Sequence, residues 1–134
     1  MNLHQLAKKM GVTPASLYLR AKRGLLPLNG EGTVSDEDAH FLIAGVTLKR
    51  AERILGRSRN SIQSDCMTGD LQVRRFGRKF YIILPKGYYY SAYEDTYFFH
   101  DPSQGWIQVS NVPRGQYVIH QRVPSFKDLV CEVN

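Results

Sequence analysis

Residues 3–26 read LHQLAKKMGVTPASLYLRAKRGLL, and residues 48–71 read LKRAERILGRSRNSIQSDCMTGDL. At a constant offset of 45, Leu3 meets Leu48, Leu6 meets Ala51, Met10 meets Leu55 and Gly11 meets Gly56. The same offset pairs Thr13 with Ser58, Ser16 with Ser61, Leu17 with Ile62, Ala21 with Cys66, Gly24 with Gly69 and Leu26 with Leu71, without a gap. Self-similarity of this kind marks a repeated supersecondary unit. In the first copy Leu3, Leu6, Ala7 and Met10 recur at helical spacing, and Gly11 permits the positive φ of a sharp turn. Thr13 caps a second helix with Pro14 at its first position, Leu17 and Ala21 face inward, and Gly24 closes it. The second copy repeats each step. Thr47 caps, Leu48, Ala51, Ile54 and Leu55 pack, Gly56 turns, Ser58 caps, Ile62 and Cys66 pack, and Gly69 terminates.

Helix, glycine turn, capped helix is the helix-turn-helix pattern. After the first copy, Leu25 to Val34 carries Asn29-Gly30-Glu31-Gly32 and reads as a short wing. Ser35-Asp36-Glu37-Asp38 then forms a capping box that opens a third helix through Phe41, Leu42 and Ile43. After the second copy, residues 71–83 read as a hairpin turning near Gly77, with apolar strand residues inward. Four cations, Arg74, Arg75, Arg78 and Lys79, stand at or beside its tip.

The chain has 134 residues, with 43% hydrophobic and 22% charged, which suits one domain or two very small ones sharing a core. Its net charge of +6 is unevenly placed. Residues 1–85 hold 14 Lys and Arg against 7 Asp and Glu, whereas residues 86–134 hold 4 against 5. Residues 49–80 alone hold nine cations against three acids, a surplus equal to the net charge of the whole chain. Such a stripe suits a polyanion, because each neutralised phosphate releases condensed counterions. The longest apolar stretch, Phe41 to Val46, is far short of the roughly 20 residues a membrane span needs. MNLHQLAKKM lacks the apolar core of an export signal, so a cytoplasmic location is expected, with Cys66 and Cys131 as reduced thiols.

No cofactor or metal is expected. His4, His40, His100 and His120 are scattered without ligand spacing, and there is no GxxxxGK[ST], GxGxxG or GxSxG run. His100-Asp101 before Pro102 reads as a hairpin corner rather than half of a catalytic dyad, and no enzymatic activity is expected. Composition changes at Leu84-Pro85-Lys86-Gly87. Beyond it lie ten of the fifteen aromatic residues. Residues 97–100, 106–109, 116–120 and 129–133 read as strands of a small antiparallel sheet, separated by Pro, Gly and Asn turns. About 49 residues make a poor independent core, so this sheet should lean on the helical part or on a second subunit. Its tyrosines suit a homodimer or a protein partner as well as a small β core.

Residues 3–27 resemble the N-terminal helix-turn-helix of MerR-type regulators, through Gly11-Val12-Thr13-Pro14-Ala15-Ser16-Leu17 and Gly24-Leu25-Leu26-Pro27. Residues 47–84 resemble the excisionase-type winged helix of phage and plasmid directionality factors. That likeness rests on Thr47, Ser58-Arg59-Asn60-Ser61-Ile62, Gly69-Asp70-Leu71 and the run Val73 to Phe80. The first unit departs from its pattern: its wing is acidic and glycine-rich, and no long dimerisation helix follows.

The expected architecture is α+β, tandem winged helix-turn-helix units followed by a small antiparallel β-sheet. Residues 1–45 form the first unit, 46–85 the second with its basic wing, and 86–134 an aromatic-rich appendage. The expected partner is double-stranded DNA. With Ile62 and Cys66 inward, Arg59, Asn60 and Gln63 face out, with Ser64 and Met67 beside them. Arg reads guanine O6/N7 and Asn or Gln reads adenine N6/N7. Lys49, Arg50 and Ser61 are placed for phosphates, and Arg74, Arg75, Arg78 and Lys79 for the minor groove or its phosphates. In the first unit the outward set includes Ser16, Tyr18, Arg20 and Lys22. Transcriptional repression in a phage or mobile element is the expected use. The alternatives are an excisionase-like DNA-bending factor and an adaptor that binds protein through its tyrosine-rich sheet.

Overall fold

In the computed structural model, which describes residues 1–101 and 104–119, the chain is mixed α+β, with five helices and two small sheets. Helix α1 (Leu3–Met10) and helix α2 (Pro14–Lys22) meet at Gly11, whose φ is 72°. Helix α4 (Leu48–Leu55) and helix α5 (Arg59–Thr68) meet in the same way at Gly56, φ 61°. The caps agree between the copies. Thr13 Oγ1 accepts from Ser16 N at 3.2 Å, and Ser58 Oγ accepts from Ser61 N at 3.3 Å. Gly24 ends α2 in a Schellman arrangement, with Gly24 N donating to Ala21 O at 3.0 Å and Leu25 N donating to Arg20 O at 2.9 Å. A capping box opens α1, where Asn2 and Gln5 exchange hydrogen bonds of 2.8 and 3.2 Å.

Helix α3 (Asp36–Ala44) starts at Ser35, which accepts from Asp38 N at 3.2 Å. The Asp38 carboxylate accepts from Arg74 Nη1 at 3.2 Å. The expected first wing is only a bridge between Leu28 and Val34, held by Asn29 Oδ1, which accepts from Glu31 N, Thr33 N and the Thr33 hydroxyl.

Strands β1 (Gln72–Phe76) and β2 (Lys79–Ile83) form the expected hairpin, with Phe76 opposite Lys79. Its two faces serve two cores. Phe76, with Tyr81 and Ile83 beside it, joins Leu3, Leu6, Met10, Leu17 and Phe41. Ile82, with Val73 beside it, joins Ala51, Ile54, Leu55 and Ile62. Strand alternation dictates this split, because Arg74, Phe76, Tyr81 and Ile83 lie on one face and Val73 and Ile82 on the other.

Strands β3 (Tyr88–Ser91), β4 (Thr96–Asp101), β5 (Gly105–Val109) and β6 (Val118–Ile119) form the second sheet, in the order β5-β4-β3-β6. It differs from the expected antiparallel sheet in two respects. Tyr88–Ser91 is a central strand with no counterpart among the expected strands, and β6 pairs with it in parallel. The sheet leans on the helices: Tyr89 and Phe98 are wholly buried beside Ile54, Leu55 and Ile62. The Tyr89 hydroxyl donates to Pro85 O at 3.0 Å, and burial pushes its pKa up. The expected strand at 129–133, the thiol of Cys131 and His120 lie outside the described residues.

Candidate nucleic-acid interface

The outward side of α5 presents a polar row. Ile62 turns inward with no exposure, while Arg59, Asn60, Gln63 and Ser64 are exposed on α5, and Met67 is 89% exposed at its far end. Ser61 is half-buried, and its hydroxyl accepts from Arg57 Nη2 at 2.6 Å and Nε at 3.1 Å. Arg57 also pairs with Asp65, one helical turn further on, and this pairing raises its pKa. Arg57 was absent from the expected site. It ties the N-terminal turn of α5 to the next turn, so it positions the row rather than extending it. The i to i+4 spacing of Ser61 and Asp65, with an arginine just before the cap, is the signal that could have revealed it.

The cations divide into three groups. Arg50, expected at a phosphate, is 3% exposed and engaged within the fold, because its place on α4 faces inward beside Ala51 and Ile54. Arg74, expected in the wing, pairs with Glu37 and Asp38 and lies 5.2 Å from the centre of the Phe41 ring. It shares the hairpin face of Phe76, so it is committed to α3. Both are engaged within the protein, Arg50 buried and Arg74 in ion pairs. Lys49, Arg53, Arg59, Arg75, Arg78 and Lys79 are exposed.

The hairpin separates these further. Arg75 stands on the face of Val73, over Phe80 at 5.6 Å, and its Nε donates to Gly77 O at 2.9 Å. Phe80 is 43% exposed and with Gln63, Cys66, Met67 and Val73 lines an apolar groove of about 420 Å³ between α5 and the hairpin. Burial pushes the Cys66 thiol up, as does the neighbouring Asp65 charge. Lys79 stands on the opposite face, towards the first unit. At the tip, a Cβ on Gly77 would come 2.5 Å from Leu25 Cδ2, so the turn rests against the segment just past the end of α2.

In the first unit Tyr18 and Lys22 are exposed, with Tyr18 edge-on to His4 at 6.0 Å. Ser16 is half-buried at the cap. Arg20 is half-buried and close enough to Tyr81 to oppose the rise in its pKa that burial causes. The outward face of α2 therefore carries fewer polar groups than that of α5.

Among the described residues no three His, Cys, Asp or Glu side chains stand where they could hold a metal, and no helix is long and apolar enough to cross a membrane. His100 and Asp101 end β4, and the Asp101 carboxylate accepts from Gln104 N at 3.0 Å, closing the corner to β5. No family model, curated protein or solved structure matches the chain.

Proposed function

We propose that the protein binds double-stranded DNA at a specific sequence, through tandem winged helix-turn-helix units of MerR and excisionase type, as a repressor in a phage or mobile element. The observation that carries this reading is the exposed row Arg59, Asn60, Gln63 and Ser64 on α5, beside a hairpin bearing Arg75 and Arg78. Donor and acceptor side chains on one helix face match the hydrogen-bonding edges of bases in a major groove, and flanking cations match the phosphates. In this reading Lys49 and Arg53 on α4 touch the backbone. Arg57 holds the entry turn of α5 rigid, which limits the entropy lost on docking.

A second reading has one observation of its own. Tyr93, in the turn between β3 and β4, is 79% exposed and Tyr117, just before β6, is 55% exposed, which suits a protein partner. Salt separates the two. Anisotropy of a labelled random-sequence duplex, titrated with protein at increasing salt, should show log K falling linearly with log salt, by about 0.9 per phosphate neutralised. No duplex binding at low salt would remove the DNA reading and leave the tyrosine face as the working surface.

A further inference from the structure

A cleft of about 290 Å³ lies where the C-terminal ends of α1 and α3, the start of α4, strand β2 and the β4–β5 corner come together. Four cations from three separate elements converge on it: Lys8 and Lys9 from α1, Arg20 from α2 and Lys79 from β2. Among the described lining residues there is no Asp or Glu. Arg50 also lines the cleft but is engaged within the fold, so recognition falls on the other four. The nearest carboxylate in sequence to the lining, Asp101, is turned to the backbone of Gln104.

The lysines are not occupied in closing their own helix. Gly11 N donates to the carbonyls of Ala7 and Lys8, and Val12 N donates to Ala7 O at 3.0 Å, so the last turn of α1 is already capped by backbone. Unbalanced positive charge held at a concave site invites an anion. The remaining walls are mostly aliphatic and backbone, from Met10 and residues 42–47, with three aromatic rings among them. Tyr81, Trp106 and His100 line the cleft, with the His100 and Trp106 rings 4.8 Å apart. A volume near the lower bound of ligand pockets admits a guest of mononucleotide size.

We infer that this cleft binds a small phosphate ester carrying a planar ring, a mononucleotide in size and chemistry, with the phosphate on Lys8, Lys9, Arg20 and Lys79 and the ring against Trp106. This site is distinct from the reading row, because Lys79 and Arg75 stand on opposite faces of the hairpin. It holds whether or not the chain binds DNA.

Trp106 is the single tryptophan of the chain and lines the cleft, so its fluorescence reports occupancy directly. The full chain is titrated with adenosine 5′-monophosphate, with adenosine, and with the monophosphate in the presence of equimolar random-sequence duplex. The monophosphate should give a saturable change, adenosine should not, and duplex should leave the response unchanged. Lys79→Gln, at an exposed position, and Lys9→Gln should each weaken binding about tenfold, as expected for a lost charge-assisted contact, with unaltered far-ultraviolet circular dichroism. The proposal is overturned by any of four results: no saturable response, an equal response to adenosine, a response indifferent to both variants, or displacement of the monophosphate by duplex.

Discussion

The hairpin β1–β2 is shared by two cores, and replacing Phe76 by Ala tests that sharing. Phe76 is 9% exposed and packs with Leu3, Leu6 and Phe41, far from Trp106 in sequence and in the other core. Truncating a phenylalanine buried to this degree costs about 3–5 kcal/mol, the lower end being apt because its edge is not fully enclosed. That is a large part of the roughly 5–15 kcal/mol by which a domain is stable. With a urea dependence of about 1.5 kcal/mol per molar, the midpoint should fall by about 2 M. Circular dichroism at helical wavelengths follows α1 to α5, and Trp106 fluorescence follows the β4–β5 sheet packed on the second core. If the hairpin joins the cores into one cooperative unit, both signals move together by the same amount. A Trp106 midpoint that stays at the wild-type value while the helical signal shifts would refute the shared-core account.

Arg74→Gln should lower stability by about 1 kcal/mol, since its ion pairs are partly exposed and screened, and should leave the salt slope of DNA binding unchanged. Arg78→Gln should do the reverse, sparing stability and reducing that slope by about 1, as urea melts and salt titrations of both variants will reveal. Burial holds the His100 pKa down at about 4, against an ordinary 6.5. The unfolded chain therefore takes up a proton that the folded chain refuses, and stability contributed by neutral His100 is fully present above pH 6.5 and lost as pH falls towards 4. This should amount to at most about 3 kcal/mol, seen as a flatter acid limb in His100→Gln than in wild type when urea stability is measured across that window. Ser58→Ala should cost about 1 kcal/mol by removing the cap of α5, and Ser58→Gly markedly less, a difference readable in thermal melts.

What was legible in the sequence was local. The two helix pairs, their glycine turns, the caps at Thr13, Ser35, Thr47 and Ser58, and the hairpin at Gly77 each depend on a few adjacent residues whose conformational preferences are strong. Long-range pairing was not. The parallel match of Tyr88 with Val118 joins segments thirty residues apart, with no turn to fix its register. Arg74 shows the same limit at the candidate interface. Counted as one of four tip cations, it lies with Phe76 on a strand face directed at α3, and the acids awaiting it, Glu37 and Asp38, were read only as a helix start. Strand parity would have separated Arg74 and Lys79 from Arg75, but only once both hairpin faces were known to be covered. Arg50 was misplaced for a related reason. Lys49 and Arg50 share one expected role at phosphates, although Arg50 adjoins Ala51 on the packed side of the helix.

The most direct test is selection of bound duplexes from a random DNA pool, performed with wild type and with the Asn60→Ala/Gln63→Ala pair. Both residues are exposed on α5, whereas Ile62 between them is buried, so the double variant should fold normally. Wild type should enrich a motif that the double variant loses while retaining weak, sequence-independent binding. A motif kept intact by the double variant, or no motif from wild type, would contradict the assignment of α5 as the reading helix.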